Sequence, residues 1–213
     1  MDNIKKFESY IINEYNNIIS KKEPLDDKYI VTPKSREGLD NLLKSHKIDL
    51  SDWGKKKYKT INHLWNEIKE EETELYSING KLRREVNFVG ARIMYINGND
   101  KFILFEEKAI FKGGRERIRS DIWYSMAEKF KYGEDHKEAI KRGMQEELGI
   151  NISDDQSTFF NKLYFPENSD YPGLESFHTG YSYLVIINDE QYKEEGYVEN
   201  QEDKDIFFKW RKV

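Results

Sequence analysis

Residues 128–150 read EKFKYGEDHKEAIKRGMQEELGI, and this stretch decides how the chain is understood. It predicts a helix from about Asp135 to Leu148, with Gly149 placed to terminate it. Glu134 and Arg142 lie eight residues apart, close to one face of the helix start. A salt bridge between them would hold the preceding loop against the helix. Glu146 and Glu147 fall in the last turn. Carboxylates there face the unfavourable end of the helix macrodipole, so a pair of them asks for a compensating cation. Gly143 sits inside the helix, where glycine costs about 1 kcal/mol relative to alanine. A glycine kept at that cost points to close approach by a backbone or a ligand.

Lys112-Gly113-Gly114-Arg115-Glu116-Arg117-Ile118-Arg119 precedes this stretch. Its glycines allow a tight turn with exposed N–H groups. In an extended segment Arg115, Arg117 and Arg119 project from one face, which suits phosphate or carboxylate binding. The competing reading is a basic edge strand paired with Glu106, Glu107 or Glu116, which discourages edge-to-edge association. Upstream again, Val86 to Ile96 is rich in β-formers, Asn97-Gly98-Asn99-Asp100 is a hairpin signal, and Phe102 to Phe105 returns as its partner. Downstream, strands are expected over Tyr181 to Ile187 and Ile206 to Trp210. Tyr171-Pro172-Gly173 marks a turn between them and the helix.

The first 80 residues have a different character. Ile4, Phe7, Tyr10, Ile11, Tyr15, Ile18 and Ile19 recur at helical spacing over 4–19, ahead of the breaker at 20–24. Ser35 is a suitable N-cap for a helix carrying Leu39, Leu42 and Leu43. A third helix is expected from about Thr60 to Leu75, with Ile61, Leu64, Trp65 and Ile68 inward and Glu67, Lys69, Glu70, Glu71 and Glu72 on a solvated face. The order of helices, then strands, a helix and more strands reads as α+β. A helical N-terminal region, 1–80, precedes a mixed domain, 81–213, with the boundary between Leu75 and Arg84. Trp53, Trp65, Trp123 and Trp210 are expected in packing roles, and His46, His63 and His136 as surface or packing residues.

Composition bounds the function. With 40 acidic and 35 basic residues the net charge is −5, which argues against a globally basic nucleic-acid binder while leaving a local basic patch open; no nucleic-acid partner is expected. The chain has no cysteine, which removes disulfide scaffolds, thiolate metal sites and cysteine nucleophiles. Mean hydropathy is −0.89, yet 14 Tyr, 12 Phe and 4 Trp supply material for a core. No apolar stretch approaches the roughly 18 residues of a transmembrane helix. The N-terminus leads into an amphipathic segment and not a signal-peptide core, so a soluble cytoplasmic protein without membrane partners is expected.

The 128–150 stretch resembles the Nudix box, G-x5-E-x7-R-E-U-x-E-E-x-G-U with U aliphatic. Glu134, Arg142, Met144, Glu146, Glu147, Gly149 and Ile150 occupy the matching positions, and the resemblance extends over roughly residues 84–213. It implies an α/β/α sandwich with a mixed sheet and a hydrolase acting on a diphosphate linkage. It also implies Mg²⁺ or Mn²⁺ held by the box carboxylates, with Glu134 and Arg142 bracing the loop. Two positions depart from the pattern. Gly143 replaces a glutamate that normally ligates the metal, and Glu128 replaces the first glycine. Glu128 is either a substitute ligand beside Glu146 and Glu147 or the partner of Lys129 or Lys131. Arg115, Arg117 and Arg119 would clamp the phosphates of a small nucleotide-like molecule. Loops after the box helix often supply base stacking and a further glutamate in this family, which makes Tyr171, Glu175, His178, Glu199 and Glu202 candidates. A degenerate Nudix fold that binds an anion without hydrolysing it is the alternative. The N-terminal helices are candidates for a homodimer contact or a protein partner.

Overall fold

The computed structural model describes residues 28–119, 124–131, 133–167 and 170–213. The helix expected over 4–19 and the packing role of Trp123 lie outside the described residues. The fold is α+β, with three helices and a mixed sheet among the described residues. The chain divides into two compact units. One takes the described part of Met1–Asn87 together with Lys162–Thr179; the other takes Phe88–Asn161 and Gly180–Val213. The chain passes from the first unit to the second between Asn87 and Phe88 and returns to the first over 162–179.

In the first unit, β1 (Lys28–Ile30) pairs antiparallel with β2 (Glu74–Ile78), and β2 pairs with the start of β3 (Lys81–Asn97). Helix α1 (Arg36–Ser45) begins where Ser35 accepts a hydrogen bond from the Gly38 N–H, as its sequence predicts. Helix α2 (Ile61–Lys69) is opened by Thr60, which exchanges capping bonds with His63. Leu39, Leu43, Leu64, Ile68, Leu75, Leu82, Tyr171 and Leu174 form the core, and Trp53 and Trp65 pack against it.

Two expectations are corrected here. The helix expected to reach Leu75 stops at Lys69, and Glu74–Ile78 is a strand. Glu71 adopts a left-handed φ of 60°, ending the helix. Asn79 and Gly80, both at positive φ, then form the tight turn that zips β2 onto β3, since an Asn-Gly pair at two left-handed positions matches strand twist. Glu67 is not on a solvated face. It is only 6% exposed and accepts from Arg84 Nη2 at 2.7 Å and Lys59 Nζ at 2.8 Å. A buried carboxylate is tolerable only when paired in this way.

In the second unit, β3 runs on and turns through the expected hairpin into β4 (Asp100–Phe111), with Asn97 opposite Asp100 and Gly98 left-handed. β5 (Glu116–Ile118) pairs with β4, and β6 (Met126–Lys129) pairs with β3. Helix α3 (His136–Leu148) follows, then a 3₁₀ turn at Asp154–Gln156 and β7 (Ser157–Glu167). β8 (Glu175–Ile187), β9 (Tyr197–Asn200) and β10 (Lys204–Lys212) complete the chain, β10 lying between β4 and β9. β8 starts earlier than its apolar run suggests. The core holds Val89, Ala91, Ile93, Leu104, Met126, Ile140, Met144 and Val185, with Trp210 packed on it. α3 contributes Ala139, Ile140, Gly143, Met144 and Leu148 from one face.

Candidate functional site

Helix α3 is fixed at both ends by its own sequence. Asp135 accepts from the Lys137 and Glu138 N–H groups while Glu138 reaches back to the Asp135 N–H, and Gly149 closes the other end at φ 68°. This orients Arg142, whose guanidinium organises the whole N-terminal side. It donates to Glu134 through Nε at 2.8 Å and Nη2 at 2.9 Å. Nη2 also reaches the Lys129 carbonyl at 2.6 Å, and Nη1 reaches Glu128 at 2.8 Å and Glu146 at 2.9 Å. The Glu134–Arg142 bridge expected from spacing is therefore present as a bidentate pair, the strongest form of such contact. Burial works to raise the Glu134 carboxyl, but Arg142 and the Lys131 N–H outweigh it and hold it below its ordinary value. Arg142 is in turn held firmly charged, first by Glu134 and against the opposing effect of burial.

Gly143 explains itself once β6 is in view. A Cβ added there would run into the Met126 Cε methyl and would lie 2.9 Å from Glu128 Cβ and 3.2 Å from Glu128 Cγ. Residues 126 and 128 are two apart on a strand, so both face the helix at this point. Met126 and Glu128 together thus occupy the space into which a side chain at position 143 would grow, one turn before Glu146 and Glu147.

Sheet register brings further carboxylates to the same helix. Between β4 and β10 the register slips: Phe207 faces Lys108, but Phe208 faces Glu106, leaving Glu107 as an extra residue. Such a bulge re-aims side chains. Glu106 is thereby turned to the side of the sheet shared by Ala109, Ile206 and Phe208, all of them buried. Across the sheet, Glu199 faces Ile206 and joins that side. Burial, and then the charges of Glu199, Glu128, Glu106 and Glu146, push the Glu147 carboxyl up to about 9. Glu199 is raised first by burial and further by Glu128 and Glu106, and its Oε2 is buried with no hydrogen-bond partner. Among the described residues no cation pairs with Glu147, and no three acidic or histidine side chains already converge at metal-ligand spacing.

The arginine stretch is partly engaged with the protein's own carboxylates. Arg117 Nη2 lies 2.8 Å from Glu106 Oε1, and Arg119 Nη1 lies 3.2 Å from Glu106 Oε2. Both are paired with the carboxylate that the edge-strand reading named, although their side chains are 42% and 50% exposed. Arg115 stands at the turn before β5, its guanidinium 4.1 Å from the centre of the Phe111 ring. Glu146, half exposed, has one oxygen on Arg142 and the other 3.7 Å from Lys131 Nζ.

Other candidates fall elsewhere. Tyr171 is fully buried in the first unit's core, against Trp53 and Arg84. Its ring is core packing and offers no open stacking face. Glu175 pairs with Arg83 in that unit, and Glu202 is exposed beside β10. His63 caps α2, while His136 is bonded to the Tyr183 hydroxyl and stacked on Tyr181. Glu106 is the residue whose role the sequence conceals: the bulge that aims it has no local signature.

No family model matches the chain, and no curated protein matches it in sequence. Solved structures do. A MutT/nudix family protein from Enterococcus faecalis is 14% identical over 59% of this chain, at a TM-score of 0.39, and the chain spans 43% of that protein. The dihydroneopterin triphosphate pyrophosphohydrolase of E. coli is 15% identical over 58% of this chain and 78% of its own, at a TM-score of 0.37. The NUDIX domain of Shewanella oneidensis NrtR, complexed with ADP ribose, is 11% identical over 59% and 71%, at 0.34. No helix among the described residues is long and apolar enough to cross a membrane.

Proposed function

We propose that this chain is a Nudix-type, divalent-cation-dependent hydrolase of a nucleoside diphosphate-linked or related phosphorylated compound. The observation that carries this reading is the position of Glu128. The carboxylate missing at 143 is replaced, from the adjoining strand, by one whose stem fills the space of the absent side chain. Glu128, Glu146 and Glu147 would hold Mg²⁺ or Mn²⁺, hard cations that take oxygen ligands and bridge substrate phosphates. The donor chemistry suits such an ion, being all carboxylate, and binding would have to draw the three together, since they do not already converge at ligand spacing. Arg142 takes one oxygen each of Glu128 and Glu146 and so orients both. The bound ion would supply charge neutralisation and a water activated for attack on phosphorus. Glu134 braces Arg142, and Arg115, Arg117 and Arg119 are the candidate phosphate contacts.

The second reading, an anion binder without turnover, is favoured by one specific observation. Arg142, Arg117 and Arg119 already neutralise Glu128, Glu146 and Glu106. Titration of Mn²⁺ into the wild type, Glu128→Gln and Glu147→Gln separates the two. Product analysis with ADP-ribose, Ap4A and simple nucleoside diphosphates accompanies it. The hydrolase reading expects each variant to lose tenfold or more in Mn²⁺ affinity and to lose turnover. Wild-type Mn²⁺ binding by both variants would overturn the assignment; anion binding with no product would establish the second reading.

A further inference from the structure

We propose that Glu106 is a latch on the anion site: its carboxylate occupies Arg117 and Arg119 until a cation engages the α3 carboxylates, and only then do the two arginines accept a substrate phosphate. The inference rests on the hydrolase reading above and names the order in which that site is loaded. Its basis is the geometry of one carboxylate held between two groups of opposite charge. Each oxygen of Glu106 takes one arginine, at 2.8 and 3.2 Å. The Glu106 side chain is only 10% exposed, whereas those of the arginines are 42% and 50% exposed. The guanidinium groups therefore face solvent from which a phosphate can arrive, while the carboxylate looks inward.

On that inward side the field is negative. Sheet register puts Glu106 and Glu199 on the one side shared by Ala109, Ile206 and Phe208, and Arg142 is spent on Glu134, Glu128 and Glu146. Without a cation, Arg117 and Arg119 are the positive charges paired with Glu106, and separating them would leave a buried carboxylate uncompensated, which is costly. A divalent ion beside Glu147 changes both sides of that balance. It attracts Glu106 and repels the guanidinium groups. A phosphate, which like a carboxylate can accept from a guanidinium through two oxygens, then replaces Glu106 as their partner. Linkage makes the coupling reciprocal: a bound phosphate raises cation affinity by the same factor as the cation raises phosphate affinity. The β4 bulge is what permits the arrangement, because it turns Glu106 toward the helix while β5 stays paired to β4.

The test is titration of pyrophosphate in the presence of a chelator, so that the latch is read without metal. Glu106→Gln, which keeps shape but removes the charge holding the arginines, is expected to bind pyrophosphate roughly tenfold tighter than wild type or more, within the usual range of such couplings. The gain should vanish when Arg117→Gln and Arg119→Gln are added. Glu128→Gln removes one charge from the same cluster without releasing β5. An equal gain in that variant would mean simple loss of repulsion and would overturn the latch, as would no gain in Glu106→Gln. If Glu106→Gln does not fold, Glu106→Asp, which withdraws the carboxylate by one methylene, should show a smaller gain of the same kind; its absence overturns the proposal. Mn²⁺ titration of the wild type keeps the two ideas separate. Failure to bind Mn²⁺ sinks the hydrolase reading, whereas normal Mn²⁺ binding with no change in Glu106→Gln sinks the latch alone.

Discussion

Exchanging the residues at 128 and 143 tests the packing that carries the functional reading. Gly143→Glu alone drives a side chain into the Met126 methyl and against Glu128, whose Cβ lies 2.9 Å from the new Cβ. Overpacking of this kind costs about 1–3 kcal/mol, offset by at most about 1 kcal/mol from replacing a helical glycine. Glu128→Gly alone removes the contact to Arg142, where a hydrogen bond between charged groups is worth about 1.5–3 kcal/mol. It also places glycine in a strand at a cost of roughly 0.5–1 kcal/mol. Were the sites independent, the double variant would be destabilised by the sum, about 2–7 kcal/mol. Because the stem of Glu128 is one of the two obstacles to a residue at 143, and the Met126 methyl at the end of a flexible side chain is the other, the double variant Glu128→Gly/Gly143→Glu should recover about 1 kcal/mol of that sum or more. It should also return a carboxylate to the helix and retain Mn²⁺ binding that Gly143→Glu alone loses. Urea unfolding of the four proteins gives the stability cycle, and Mn²⁺ titration gives the second readout. Additivity within about 0.5 kcal/mol, or an undisturbed Gly143→Glu variant, would refute the claim that Glu128 stands in the place of the missing side chain.

Three further outcomes follow from particular residues. Glu147, raised to about 9 from an ordinary 4.5 by burial and then its acidic neighbours, binds a proton in the folded state that the unfolded chain has lost. Its contribution is therefore fully present below pH 4.5 and fades as pH rises toward 9. Urea midpoints between pH 5 and 9 should fall less steeply in Glu147→Gln than in wild type, and an unchanged slope would count against the cluster. Arg84→Met removes the Arg84 contacts of the buried Glu67 and leaves its contact to Lys59, and should cost about 3 kcal/mol in thermal or urea unfolding. Glu67→Leu/Arg84→Met should recover most of it. Gly80→Ala, at a backbone φ of 76°, should destabilise the β2–β3 hairpin by about 1 kcal/mol, read by urea unfolding or by faster amide exchange in β2.

Much of the site was legible as sequence because its parts are local. Asp135, Glu138 and Gly149 specify a helix from within that helix. The eight-residue spacing places Arg142 under Glu134 whatever surrounds them, and Glu146 and Glu147 follow one turn later by helical geometry alone. The same holds for Ser35, Thr60 and the Asn97–Asp100 hairpin, where each cap or turn is formed by residues within a few positions of one another. The α+β class followed from the order of such segments.

What the tertiary structure decided is contact between residues distant along the chain. Gly143 reads in sequence as a loss; beside Glu128 it is a space filled from another strand. Arg117 and Arg119 read equally as an anion clamp or a guarded edge, and only the bulge at Glu107 shows which carboxylate holds them. Tyr171 reads as a loop aromatic but is buried against Arg84, 87 residues away in sequence. Helix caps are fixed by short-range hydrogen bonds, which the order of residues contains. The pairing of side chains across a sheet depends on register, and register is set by the fold as a whole.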